Sequence, residues 1–197
     1  ENLFFSPETE ISFENLETNS TASTQLTKQK GSYQDFYFNY GLNYDLRNSS
    51  YRPTSGSKIS FYQELPVVSG NSELGNTIIY TKYKTLSRAS DIVGKASLYL
   101  NAVNSLDGPD VRISKRSYMP YNRLRGFEKG KIGPVENTDF IGGNYVSALN
   151  LSTNLPGIFS TIENVDFSYF IDVGNVWGVD YDSSIDDPNK VRSSPGL

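Results

Sequence analysis

Neither cysteine nor histidine occurs among the 197 residues, and methionine and tryptophan occur once each. Without cysteine there is no disulfide framework and no thiolate site for a metal. Without histidine the commonest zinc ligand and the usual general base are missing. Most hydrolase and metalloenzyme plans are thereby excluded. No run of about 18 apolar residues occurs either, which excludes a spanning helix but not a spanning barrel, whose signature is alternation. Basic residues are scattered singly against a formal net charge of -4, so there is no electrostatic footprint for nucleic acid. Glu1 to Ser6 carry no basic stretch followed by a long apolar one and do not read as a signal peptide.

What is present points to β structure. The chain holds 14 Tyr and 11 Phe, side chains that favour pleated, half-buried surfaces. From Asp35 to Leu46 the residues alternate: Phe36, Phe38, Tyr40, Leu42, Tyr44 and Leu46 share one parity, and Asp35, Tyr37, Asn39, Gly41, Asn43 and Asp45 share the other. At roughly 3.3 Å per residue this is a strand about 40 Å long, longer than soluble strands usually are and long enough to span a bilayer at a tilt. Weaker alternation predicts strands near Ile11 and Phe13, over 58–65, 79–84, 92–101, 144–151 and 165–174. In the 79–84 segment Ile79, Thr81 and Tyr83 read as the apolar face, with Lys82 and Lys84 opposed. About seven strands result, joined by loop chemistry such as Asn48-Ser49-Ser50 and Ser69-Gly70-Asn71-Ser72, with no helix of useful length between them. The fold class is therefore all-β, an antiparallel meander.

One connection, about 104–138, is far longer than structureless loops usually are, and such loops are usually functional or disordered. Alternation alone leaves two architectures open. The apolar faces could pack against a second sheet in a soluble sandwich, or face lipid in a closed barrel; strand length and aromatic bias favour the barrel.

Within the long loop, Leu124-Arg125-Gly126-Phe127, followed by Gly130 and Ile132-Gly133-Pro134, resembles the signature of the inward-folded loop of the BamA family. Upstream, Phe38-Asn39-Tyr40-Gly41 and Pro53-Thr54-Ser55-Gly56 resemble a strand and turn of that family. Downstream, Ile141-Gly142-Gly143-Asn144 and Phe170-Ile171-Asp172-Val173-Gly174-Asn175-Val176-Trp177 resemble its G-G-N and F-x-D-x-G-x-V-W strands, and Asp186 to Ser194 its next loop and strand. These landmarks follow the family's order over nearly the whole chain.

The resemblance implies that residues 1–197 are part of a sixteen-stranded transmembrane β-barrel of the bacterial outer membrane, with early strands, final strands and POTRA domains lying outside them. It implies assembly and insertion of β-barrel proteins without bond chemistry, cofactor or metal. The implied partners are unfolded outer-membrane β-barrel proteins, lipoproteins of the assembly complex and the lipid bilayer. A two-partner secretion transporter, which shares the loop signature, and a passive porin are the alternatives.

Residue by residue, the loop motif maps to Leu124, Arg125, Gly126 and Phe127, and the motif glycines to Gly142, Gly143 and Gly174. An arginine carried into a barrel loses solvent and needs a bidentate carboxylate. Asp172, on the polar parity of its strand and matching the family's aspartate, is the expected partner in a latch that fixes the loop. The family's second, acidic partner aligns with Ser152, which carries no charge, so either Glu163 or another acid substitutes or the latch is weaker. Tyr118 to Arg123 replace the glycine pair that often precedes the motif. Asp180, Asp182, Asp186 and Asp187 lack the glycine and terminal glutamate spacing of a calcium loop and read as a solvated loop.

Overall fold

The computed structural model describes residues 2–108, 110–156, 167–180 and 189–197. The strands are β1 (Leu3–Leu16), β2 (Gly31–Asp45), β3 (Gly56–Val68), β4 (Glu73–Ser87), β5 (Ile92–Ser105), the short pair β6 (Val135–Glu136) and β7 (Asp139–Phe140), then β8 (Tyr145–Asn154), β9 (Ser168–Trp177) and β10 (Arg192–Gly196). Eight of them form one antiparallel sheet in the order β1-β2-β3-β4-β5-β8-β9-β10, the expected meander with one more strand than the alternation discloses. The additional strand, β10, reads Arg-Ser-Ser-Pro-Gly and has no apolar rhythm by which to recognise it. β1 runs to Leu3 rather than staying near Ile11 and Phe13, because Pro7 and Thr9 interrupt an apolar parity that otherwise continues through Phe5.

The meander places the connections 17–30, 69–72 and 106–144 and the one between β9 and β10 at one end. Connections 46–55 and 88–91, with the one between β8 and β9, lie at the other. The first end carries the loop 106–144. It also carries α1 (Thr24–Lys28), which starts where the Ser23 hydroxyl accepts the Leu26 amide proton at 3.2 Å.

The two faces of the sheet differ in what covers them. Loop 106–144 lies against the face carrying Asp35, Glu73, Ser97, Asn150 and Asp172. The opposite face carries Phe5, Ile11, Phe13, Leu42, Ile59, Leu98, Leu100, Leu149 and Leu151, all exposed to a degree unusual for large apolar side chains. A sandwich would bury this face under a second sheet, and among the described residues nothing covers it. Among them, no helix is long and apolar enough to cross a membrane.

Register corrects the reading of 79–84. Thr81 is the partner of Ser97 and lies 3.1 Å from its hydroxyl on the loop-covered face, so Ile79, Thr81 and Tyr83 point toward the loop. Ile78, Tyr80, Lys82 and Lys84 therefore belong to the open, apolar face. Branched and aromatic residues occupy both parities here, and the two lysines tipped the sequence reading the wrong way.

Candidate functional site: a loop clamped onto the strands

Loop 106–144 is tied to the sheet at three levels. Nearest the loop-bearing end, Arg112 is fully buried. Its Nη2 donates to Asp35 Oδ2 at 2.6 Å and lies 3.4 Å from Glu73 Oε2, and its Nη1 lies 3.5 Å from Glu14 Oε2. The guanidinium carbon stacks 4.3 Å from the centre of the Tyr33 ring. One cation thus gathers carboxylates from β1, β2 and β4, and Lys115, over the Tyr37 ring at 4.3 Å, adds a second positive charge nearby. The Ile113 amide donates to Gln29 Oε1 at 2.8 Å, joining the loop to the 17–30 connection.

The middle level is apolar. Met119, Leu124 and Ile132 of the loop pack against Val146 and Ala148 of β8 and Val176 of β9, with Tyr99 of β5 alongside. Close approach needs missing side chains. A Cβ on Gly174 would lie 2.7 Å from Met119 Cε, and one on Gly143 would lie 2.6 Å from the Trp177 carbonyl oxygen. Gly143 also exchanges backbone hydrogen bonds with Ser117, at 2.8 and 2.9 Å. Gly142 next to it has φ +70, a left-handed turn that returns the chain to β8. The bulky stretch from Tyr118 to Arg123 therefore fits, because Gly174 leaves room for Met119.

Deepest lies the motif. Arg125 Nε donates to Asp172 Oδ2 at 2.7 Å and Nη2 to Oδ1 at 2.8 Å, a two-pronged pair reinforced by the Arg125 backbone amide, 3.1 Å from Oδ2. Asp172 is fully buried, whereas the Arg125 side chain retains 40% of its surface. The guanidinium carbon also lies 3.3 Å from the centre of the Phe170 ring. Gly126, at φ +82, turns the chain where a Cβ would lie 3.0 Å from Ser194 Oγ of β10. Leu124 is buried in the core described above, while Phe127 remains partly exposed.

Ser152 does not take part in this cluster; it faces Lys95 and Phe170 across the ladder. The contribution of β8 comes from Asn150, directly opposite Asp172, whose Nδ2 donates to Asp172 Oδ1 at 2.8 Å and to the Arg123 carbonyl at 2.7 Å. Asn150 and Ser152 share a face, one step of the strand pleat apart. Arg123 completes the set, donating to Ser97 Oγ at 2.9 Å with its guanidinium 5.2 Å from the centre of the Tyr99 ring. Glu163, Asp182, Asp186 and Asp187 lie outside the described residues. Asp180 accepts from the Val111 amide at 2.8 Å and from Asn144 Nδ2 at 2.6 Å, so it anchors the start of the loop. Burial, and then the Asp180 carboxylate, push the Asp110 carboxyl above the usual carboxylate range.

Sequence reasoning overlooked Arg112, Arg123 and Asn150. The available signal was Glu14 and Asp35 on the polar parity of strands otherwise rich in aromatic residues, since buried acids require a cation; Glu73 shares a parity with Ile79 and Tyr83 and gave none.

The crystal structure of BamA from Haemophilus ducreyi lacking POTRA domains 1-3 matches with a TM-score of 0.74 and 26% identity, over 98% of this chain and 43% of that one. The Sorting and assembly machinery component 50 homolog of Mus musculus is 27% identical over 169 residues, 82% of this chain and 36% of the relative. Its counterpart in Homo sapiens is 26% identical over the same shares. The chain thus spans well under half the length of each. Residues 5–197 match the Omp85 superfamily domain. The chain belongs to the Omp85 superfamily and is a stretch of a BamA-like outer-membrane β-barrel.

Proposed function

We propose that the parent protein assembles and inserts β-barrel proteins into the bacterial outer membrane, and that this segment supplies the loop-braced wall of its barrel. The observation that carries the proposal is the Arg125–Asp172 pair. A barrel that only needed to be rigid could fill its lumen with apolar side chains, since a buried ion pair is rarely a net source of stability. A loop held by charged clamps at its two extremes instead fixes one wall while the rest of the barrel deforms.

The work is strand pairing. An unfolded barrel protein presents unpaired backbone edges that cannot remain bare in lipid, and a barrel able to open sideways offers an edge on which to pair them. This chemistry breaks no bond and needs no cofactor. The partners are the unfolded client barrels and the bilayer, joined in the complete protein by POTRA domains and by lipoproteins of an assembly complex.

The test is reconstitution of the full-length protein in vesicles with an unfolded outer-membrane porin. Insertion well above empty vesicles supports the proposal. Export of an unfolded polypeptide without client insertion supports a two-partner secretion transporter instead, and steady ion conductance alone supports a porin.

A further inference from the structure

The lipid-facing surface is not uniformly apolar. Lys82 and Lys84, on β4, project from it, and among the described residues neither has a carboxylate within salt-bridge distance. A lysine facing lipid is costly unless its ammonium reaches the headgroup layer. Lys84 stands three residues before the end of β4 at Ser87, about 10 Å along the strand. That end carries connections of 4, 10 and 13 residues against 4, 14, 14 and 39 at the other, and the shorter set faces the periplasm in outer-membrane barrels.

Beside the lysines runs a groove of about 400 Å³. Its floor follows from register: Lys82 pairs with Ala96 and Lys84 with Gly94, so β5 offers one methyl group and one hydrogen where the neighbouring strands offer large side chains. Beyond it, Ala96 pairs with Leu151 and Gly94 with Thr153, and Thr153 pairs with Tyr169, whose ring forms part of the far wall. Leu86 leans over the near side, 3.0 Å from where a Cβ on Gly94 would stand. The result is an apolar trough bordered on one side by two cations, with a tyrosine of the kind that marks membrane interfaces on the other.

We propose that this groove binds one anionic phospholipid of the periplasmic leaflet, its phosphate held by Lys82 and Lys84 and an acyl chain laid over Gly94 and Ala96 against Leu151 and Tyr169. Charge complementarity selects this occupant. Lipid supplies both the negative headgroup that the lysines need and the chain that the trough fits, whereas a free phosphate would leave the trough unused. This inference does not depend on the insertase reading.

The test is native mass spectrometry of the full-length protein released from detergent with phosphatidylglycerol or phosphatidylcholine. Folding of each variant is checked by its gel mobility before and after heating. The native protein retains phosphatidylglycerol in preference to phosphatidylcholine. Lys82→Gln with Lys84→Gln lowers that retention about 25-fold, from roughly fivefold per lysine near an anionic surface. Ala96→Leu, which fills the groove with both charges intact, also weakens it. Equal retention of the two lipids overturns the proposal, as does indifference to both sets of substitutions. Full displacement by millimolar inorganic phosphate would mark a free-anion site. A dimer dissolved by the lysine substitutions would mark an interface between copies. Either result also overturns it.

Discussion

Removing Arg125 should cost more than its own contacts are worth, and removing Asp172 with it should return part of the loss. Arg125→Ala deletes two charge-assisted hydrogen bonds and the contact with Phe170. It also leaves the fully buried Asp172 carboxylate with only the backbone amide and Asn150 as donors. Breaking a fully buried pair costs about 3–5 kcal/mol. The arginine keeps 40% of its surface, so water screens the pair, and about 3 kcal/mol is the appropriate figure. Asp172→Asn leaves an acceptor for Nε and a guanidinium that water still reaches, and should cost about 1–2 kcal/mol. The double variant has no stranded charge and should cost about 2 kcal/mol, well below the sum. Urea unfolding of the full-length protein in lipid vesicles, read for the four members of the cycle, gives the coupling directly. Losses that add to within about 0.5 kcal/mol would refute the reasoning, because they would mean that Asp172 is not held by the arginine.

Arg112→Ala should be worse than Arg125→Ala in the same titration, by about 1 kcal/mol or more, because Arg112 has no exposed surface and leaves Asp35 and Glu73 buried together. Gly143→Ala should make the loop readily cleaved by protease, since the new methyl meets the Trp177 backbone. Gly174→Ala should be milder, since its closest contact is the flexible end of Met119 and the Ser147 carbonyl oxygen stands 3.1 Å away. Asp110→Asn should stabilise the protein modestly at pH 7 and less at pH 4. The raised native carboxyl is disfavoured only while ionised, so its penalty appears as pH rises and fades as it protonates. Unfolding midpoints at the two pH values check the sign.

Most of the sheet was legible because strand parity is a short-range property. In β2 every second residue from Phe36 to Tyr44 is apolar, and the ladder follows that pattern. β10 was not legible as an apolar strand, because its pairing with β9 is carried by backbone and not by side-chain pattern. The faces of β4 were misassigned for a related reason: with Ile78, Ile79 and Tyr80 in succession, only pairing with β5 decides which parity faces the loop. At the site, Arg125 and Asp172 could be paired from a motif and a parity. Arg112 could not, because its three acids come from β1, β2 and β4, and no local pattern reports which loop residue will meet them. Asn150 was missed in favour of Ser152 because the two share a face, and position along that face is set by how deep the loop descends.

The central claim is that the clamped loop serves client insertion and not only barrel stability. Its most direct test is the insertion rate of an unfolded porin into vesicles carrying the full-length protein, native against Arg125→Ala, compared at equal amounts of verified folded barrel. A severalfold or larger loss of rate with the barrel intact is expected. An unchanged rate would contradict it and reduce the Arg125–Asp172 pair to a structural fastening.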